Sequence, residues 1–396
     1  MSYRFSKDFL FGAGICDYQH FGGASCDLPK IDAARHYWLY ERDFELLKSM
    51  GLNALRTSIE WARIENKEGE MNQSAIEWYS KYLGSLRDHG LTSVVTLHHF
   101  TNPAWIHEYG GWLSDHVVQK FLEYVELVVD RVGDLIDYFI VINEPMMYGL
   151  LAYMLGDRGL PPRHNNLNEG QKAAERMLAA VSEAYDLIHK RKSGAMVSIA
   201  HAFNPMSALN WWNPYQQFVV YWANGKLLYE PIEKLSGKFD FLGMNYYCKM
   251  LTDGTLRARP IVYHRGLRDA MDFFYHNYGK PIMITENGFP NRDDRQKSAY
   301  LVQSLKTIQD SISEDGVKVL GYFWWSFLHG WEWRGLEYKP FFALVDVDIA
   351  RTYARYVTKT AELYGRIAHD KEMNRSLYSA HSQILGKITF ENWPMV

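Results

Sequence analysis

The sequence predicts an α/β protein: a (β/α)8 TIM barrel, eight parallel strands closed on themselves with helices outside. Three observations lead there. Apolar, β-rich runs recur eight times along 396 residues. Amphipathic stretches with helical spacing follow them. No GxGxxG follows the first run, so an open dinucleotide-binding sheet fits less well. One domain usually holds ~100–200 residues, but barrels of this kind often run longer as one unit. Residues 1–396 therefore read as a single barrel domain.

The elements follow in order. "FLFGAGI" (9–15) is the first strand, and "RHYWLYERDFELLKSMG" (35–51) carries helical spacing that stops at Gly51. "NALRTSI" (53–59) is the second strand, followed by "SAIEWYSKYLGSLRDHG", a helix stopped at Gly90. A glycine there suits the left-handed residue that ends a helix. "TSVVTLHH" (92–99) is the third strand, and "DHVVQKFLEYVELVVDRVGDL" is the helix after it. The remaining strands are "DYFIVIN" (137–143), "AMVSIAHAF" (195–203), "FDFLGMNYY" (239–247), "PIMIT" (281–285) and "VLGYFWWSF" (319–327). No low-complexity linker or charge block marks a domain boundary.

Composition excludes several classes. Hydrophobic residues make up 47%, enough for a large core, and 13 Trp and 27 Tyr suggest flat apolar surfaces in a cleft. The net charge of −3 offers nucleic acid nothing to hold. No apolar run reaches the ~18 residues of a membrane span. The start, "MSYRFSKDFLFGAG", does not read as a signal peptide. Cys16, Cys26 and Cys248 are an odd set without CxxC spacing, so a disulfide framework or zinc site is not expected, and a cytoplasmic location fits.

Two strands run into a carboxylate. Glu144 ends "YFIVINEP", and Glu286 follows "PIMIT", after which Gly288 turns the chain away. In barrels of this class the strand C-termini carry the chemistry, so both side chains should face one cleft. Two carboxyl groups across a cleft cut a glycosidic bond: one protonates the leaving oxygen, and the other attacks the anomeric carbon or activates water. Alone, either glutamate would also suit a solvated rim.

"INEP" (142–145) and "ITENG" (284–288) resemble the two signature segments of glycoside hydrolase family 1, the retaining β-glycosidases. The resemblance extends from "FLFGAG" to "FFALVDVD" (341–348). It implies that Glu144 is the acid/base and Glu286 the nucleophile. Arg56 in "LRTSIEWARI" resembles the arginine beside the nucleophile, and a cation there favours the ionised carboxylate. Tyr247 resembles the tyrosine that donates to that carboxylate, and Asn245 is a supporting residue. A neighbouring negative charge and desolvation would raise the pKa of Glu144. By themselves Arg56 also suits a structural ion pair and Tyr247 the core. The sugar-holding set implied by the family is Gln19 at the end of strand one, His99, Asn143, Trp325, Glu332 and Trp333. His98 and His99 adjoin on a strand and point to opposite faces, so they do not share a metal. Trp324, alternating with Trp325, is expected in the core. No metal or organic cofactor is implied.

The chain departs from the family pattern in places. Val141 stands for the usual Thr, Phe100 for Trp, and His329-Gly330 for Asp-Asn; "HFGG" replaces the Glu-Gly after Gln19. The first loop, "GGASCDLPKIDAARHYW", is short. With less wall, the aglycone site should be open and tolerant of aryl and long alkyl groups. The expected activity is a retaining exo-β-glycosidase acting on small β-glucosides, β-galactosides or β-fucosides. Three rivals stay open. A 6-phospho-β-glycosidase would use Ser, Lys and Tyr after strand eight; here Glu332, Lys339 and Phe341 stand there, and Glu332 would repel a phosphate. A non-catalytic sugar-binding barrel should have lost a carboxylate. Transglycosylation shares the same intermediate.

Overall fold

A computed structural model describes residues 2–23, 26–31, 33–156, 159–255, 258–333, 337–338, 340–385 and 390. Its centre is a closed barrel of parallel strands. In chain order they are β1 (Leu10–Gly14), β2 (Ala54–Ser58), β3 (Thr92–His98) and β4 (Tyr138–Asn143). Next come β5 (Met196–Ala202), β6 (Leu242–Asn245), β7 (Ile282–Asn287) and β8 (Val319–Trp325). Each pairs with its sequence neighbour, and β8 closes on β1 with Tyr322 opposite Phe11.

The helices that follow the strands are α1 (His36–Ser49), α2 (Gln73–Asp88), α3 (Asp115–Val132) and α4 (Leu167–Arg191). Then come α5 (Pro214–Asn224), α6 (His264–Tyr278), α7 (Asp294–Ser313) and α8 (Lys359–Asp370). Local chemistry sets their ends. Asn72, Asn166, Asn213, Asp293 and Thr358 each accept a backbone N–H at a helix start. Gly51 and Gly90 take positive φ one residue past the caps of α1 and α2.

The barrel interior is filled by Leu10, Ala54, Val94, Ile140, Ala200, Phe241, Met283 and Phe323, all buried. Seven lie on strands and Phe241 immediately precedes β6, so each of the eight predicted runs supplies one. This plug leaves the C-terminal mouth for the site. Loops beyond β5 and β6 build a small sheet at that mouth from Met206–Ala208, Lys249–Thr252 and Ala258–Ile261.

Two local expectations change. β7 runs through Glu286 to Asn287, and Gly288 is not in the left-handed region. Glycine is needed there because a Cβ would lie 2.1 Å from the Trp325 carbonyl oxygen. β1 stops at Gly14, so Gln19 sits beyond it, on one π-helical turn, Asp17–Phe21. Among the described residues no helix is long and apolar enough to cross a membrane.

Candidate active site

The mouth of the barrel is reached through irregular strand ends. The β4–β5 register shifts between Ile140 and Asn143, and the β7–β6 register between Ile284 and Glu286. Such shifts re-aim side chains near sites. Glu144 has φ 45° and ψ 59°, a left-handed conformation that costs a non-glycine residue ~1–2 kcal/mol. Its N–H donates to the Ala200 carbonyl at 2.8 Å, fixing the turn. Pro145 then opens a short helix, Pro145–Tyr153.

The two carboxylates are linked by three polar side chains. Arg56 donates through Nη1 to Glu286 and through Nη2 to Asn143 Oδ1 at 2.6 Å. Asn245 Nδ2 donates to Asn143 Oδ1 at 3.1 Å and to Glu144 Oε1 at 2.7 Å. Thr285 Oγ1 donates to the Asn245 side-chain oxygen Oδ1 at 2.7 Å. Asn245, expected to support the nucleophile, thus reaches Glu144 and Asn143 rather than Glu286. Tyr247 donates its hydroxyl to Glu286 Oε2 at 2.6 Å.

The surroundings of the two glutamates differ. Glu286 has a cation and a phenol on its oxygens. Glu144 is buried, and burial more than the charge of Glu286 pushes its pKa up to about 8; the Asn245 amide and Arg56 pull the other way. Both residues are almost inaccessible.

The aromatic side is equally ordered. His99 stacks on Trp325 (ring centroids 5.6 Å apart) and on Trp333 (5.9 Å). Tyr18 stacks on the Trp333 ring at 5.7 Å, and Phe100 meets it edge-on at 5.2 Å. Burial, then the Arg56 charge, holds the His99 pKa well below the usual range, so the ring is neutral. His99 faces Asn143 Nδ2 at 3.4 Å, whereas His98 points away to Asn102 at 2.9 Å. Trp324 is buried and donates to the Phe342 carbonyl, 2.7 Å away. Glu332 is buried near enough for its charge to raise the Tyr247 pKa. The Gln19 amide donates to the Trp331 carbonyl and accepts from the Cys16 thiol at 3.0 Å. Lys339 lies outside the described residues.

Sequence reasoning missed a second polar network behind the site. Asp17 accepts from Arg63 Nε at 2.9 Å and from the Tyr79 hydroxyl at 2.6 Å. Near it Glu60 accepts from Thr101, 2.5 Å away. "SIEWARI" displays Glu60 and Arg63, but nothing in it points to Asp17, more than forty residues earlier. The short first loop is tied down as well: Asp27 accepts from the backbone and the side chain of Asn102, both at 3.0 Å.

Known proteins resemble this chain in sequence and fold. Solved structures with this fold include a beta-glycosidase from Pyrococcus horikoshii, 28% identical, with a TM-score of 0.87 over 96% of this chain and 98% of that one. "Beta-glucosidase 40" of Arabidopsis thaliana is 29% identical, covering 89% of this chain and 90% of its own length. "Galactolipid galactosyltransferase SFR2, chloroplastic" of the same plant is 30% identical over 85% of this chain. A rice relative, "Beta-glucosidase-like SFR2, chloroplastic", is 30% identical over 85% of this chain. The matches span only 58% and 56% of those two longer relatives. The family described as Glycosyl hydrolase family 1 matches residues 12–216 and 252–373, which include Glu144 and Glu286. With most of its length matched and the barrel closed, the chain belongs to glycosyl hydrolase family 1.

Proposed function

We propose that the protein is a retaining exo-β-glycosidase that releases β-D-glucose, galactose or fucose from small β-glycosides. The observation that carries this reading is the opposed environment of two carboxyl groups on one hydrogen-bonded chain. Glu144, kept protonated by burial, donates its proton to the glycosidic oxygen. Glu286, oriented by Arg56 and Tyr247, attacks the anomeric carbon as that bond breaks and forms a glycosyl-enzyme. Glu144, now ionised, takes a proton from water, which displaces Glu286 and restores the β configuration. Asn143, His99, Gln19, Glu332 and the indoles of Trp325 and Trp333 hold the sugar. The chemistry needs no metal or organic cofactor. With Cys16, Cys26 and Cys248 all unpaired, we place it in the cytoplasm.

A buried Glu332 disfavours a 6-phosphate at the outer hydroxyls. Transfer to an acceptor sugar is a second reading, favoured by the relative named as a galactosyltransferase; it uses the same glycosyl-enzyme. Nitrophenyl β-glycosides, with and without a 6-phosphate, test the reading, with product stereochemistry followed by NMR. Hydrolysis of unphosphorylated substrates with retention is expected. Inverted product, or preference for the phosphorylated sugar, overturns it.

A further inference from the structure

A cavity of about 500 Å³ lies beside the catalytic mouth, outside the site described above. This is the size of an ordinary small-molecule site. Met146 and Met147, two and three residues after Glu144, form part of its wall. Met250, on another part of the wall, packs in one cluster with Tyr247 and Trp325. The cavity thus shares its walls with both the acid/base turn and the sugar floor. Its lining is mostly apolar. The charged lining residues pair among themselves, Lys226 with Glu230 at 2.6 Å and Lys234 with Glu175 and Glu230 at 3.1 Å.

Two further lining residues, Tyr215 and Trp222, belong to α5 and are themselves exposed. They continue into an uncovered aromatic face. Trp211 is 75% exposed, Trp212 68%, Phe218 66% and Tyr221 81%. Residues 202–225 contain no Asp, Glu, Lys or Arg. Isolated exposed apolar side chains are ordinary, but six exposed aromatic rings within residues 211–222, four of them on α5, mark an interaction surface. A neutral helix bearing Trp, Tyr and Phe suits the boundary of a bilayer, where an aromatic body is buried and its polar edge stays wet. A second copy of the chain seated there would cover the aromatic rim of the cavity, whereas a lipid surface would feed it.

We propose that the aromatic face of residues 211–222 docks this protein on a lipid surface, and that the adjoining cavity takes the alkyl chain of an amphiphilic β-glycoside drawn from that surface. The second half rests on the glycosidase reading, and the first does not. The alkyl chain lies in the cavity while the sugar occupies the floor below Glu144 and Glu286. Binding is apolar, so it does not need anionic lipid.

The docking test is flotation with phosphatidylcholine vesicles, which requires no turnover. Wild type is expected to float with neutral vesicles as well as with vesicles containing phosphatidylserine. A Trp211→Ser/Trp212→Ser/Phe218→Ser/Tyr221→Ser variant should partition about tenfold less. Circular dichroism melting checks its fold, and the Trp212→Ser/Phe218→Ser pair, expected to lie between the two, replaces it if it unfolds. Absence of flotation overturns the docking proposal. So does a wild-type dimer that the substitutions make monomeric without any vesicle binding. The cavity test is kcat/KM for methyl, octyl and dodecyl β-glucosides below their micelle concentrations. A rise with chain length is expected, and a flat series overturns the cavity assignment. Failure to hydrolyse even a nitrophenyl glycoside would instead count against the glycosidase reading and leave the flotation result standing.

Discussion

Glu144 and Glu286 sit on one polar chain, yet their loss should have different consequences. In the proposed mechanism Glu286→Ala removes the nucleophile, so turnover should vanish; added formate, attacking from the vacated side, should restore part of it with inverted product. Glu144→Ala should cripple glycosides with poor leaving groups but spare glycosylation by dinitrophenyl glycosides, which need no proton. Equal losses for both kinds of leaving group would remove Glu144 from the acid role. The pH profile gives an independent check. Glu144 acts as an acid only while protonated, so kcat/KM should fall as pH rises through about 8. The Asn245 amide stabilises the ionised form, and Asn245→Ala should move that alkaline limb to higher pH. A limb that stays still or moves down would separate Asn245 from the proton donor. Residues at this scale were readable from sequence where a motif names them. Elsewhere the pairing was hidden. Gly330 stands where the family has a polar residue, and a Cβ there would lie 2.8 Å from His20 Nε2. His20 is itself part of the departure after Gln19, so two unusual stretches, about 310 residues apart, are one steric adjustment.

Strand and helix positions were legible because barrel strands are buried on both faces and amphipathic helices are not. That contrast is written in hydrophobic spacing. "PIMIT" and "YFIVIN" read as strands within that alternation, each running into a carboxylate. What spacing cannot show is backbone approach between elements. Gly288 reads as a turn, and the structure makes it a contact with β8. Gly365 on α8 is a similar case: nothing in "AELYGRIAHD" distinguishes it from a tolerated helix glycine. A Cβ at 365 would stand 2.0 Å from the Met50 carbonyl oxygen at the end of α1. That oxygen belongs to backbone, so it cannot rotate aside as a side chain would. Gly365→Ala should therefore destabilise by about 1–3 kcal/mol, despite the better helix propensity of alanine. Glycine to alanine at 84, on α2, meets nothing within 4 Å and should stabilise slightly. Urea unfolding of both variants tests the pair; equal effects would place the α1–α8 crossing elsewhere.

Burial of ionisable groups through the whole barrel sets how its stability responds to pH. Burial holds His20 at about 3 and His98, His201 and His264 at about 4, against 6.5 for an ordinary histidine. A group whose folded pKa is depressed adds stability above its unfolded value, here 6.5, and loses it as pH falls toward the folded one. Glu60 and Glu144 behave in the opposite sense. Burial lifts both to about 8 from an ordinary 4.5, and the charge of Asp17 adds to the lift at Glu60. Folded, they keep protons that the unfolded chain has released. Their contribution is complete below about 4.5 and disappears as pH rises through about 8. Between about 4.5 and 6.5 the two slopes oppose each other, and four histidines outweigh two glutamates, so Tm should still rise there, peak near 6.5 and fall on both sides. Glu60→Gln isolates the alkaline slope. The amide cannot ionise, and it can still accept from the Thr101 hydroxyl, so the fold should survive. Tm of the variant should decline less than wild type between pH 6 and 8, by at least about 2 °C over the interval. The acid side, set by histidines this substitution does not touch, should be unchanged. If the alkaline slopes of the two proteins coincide, Glu60 is already ionised in the folded barrel, and Arg63 rather than a bound proton neutralises it.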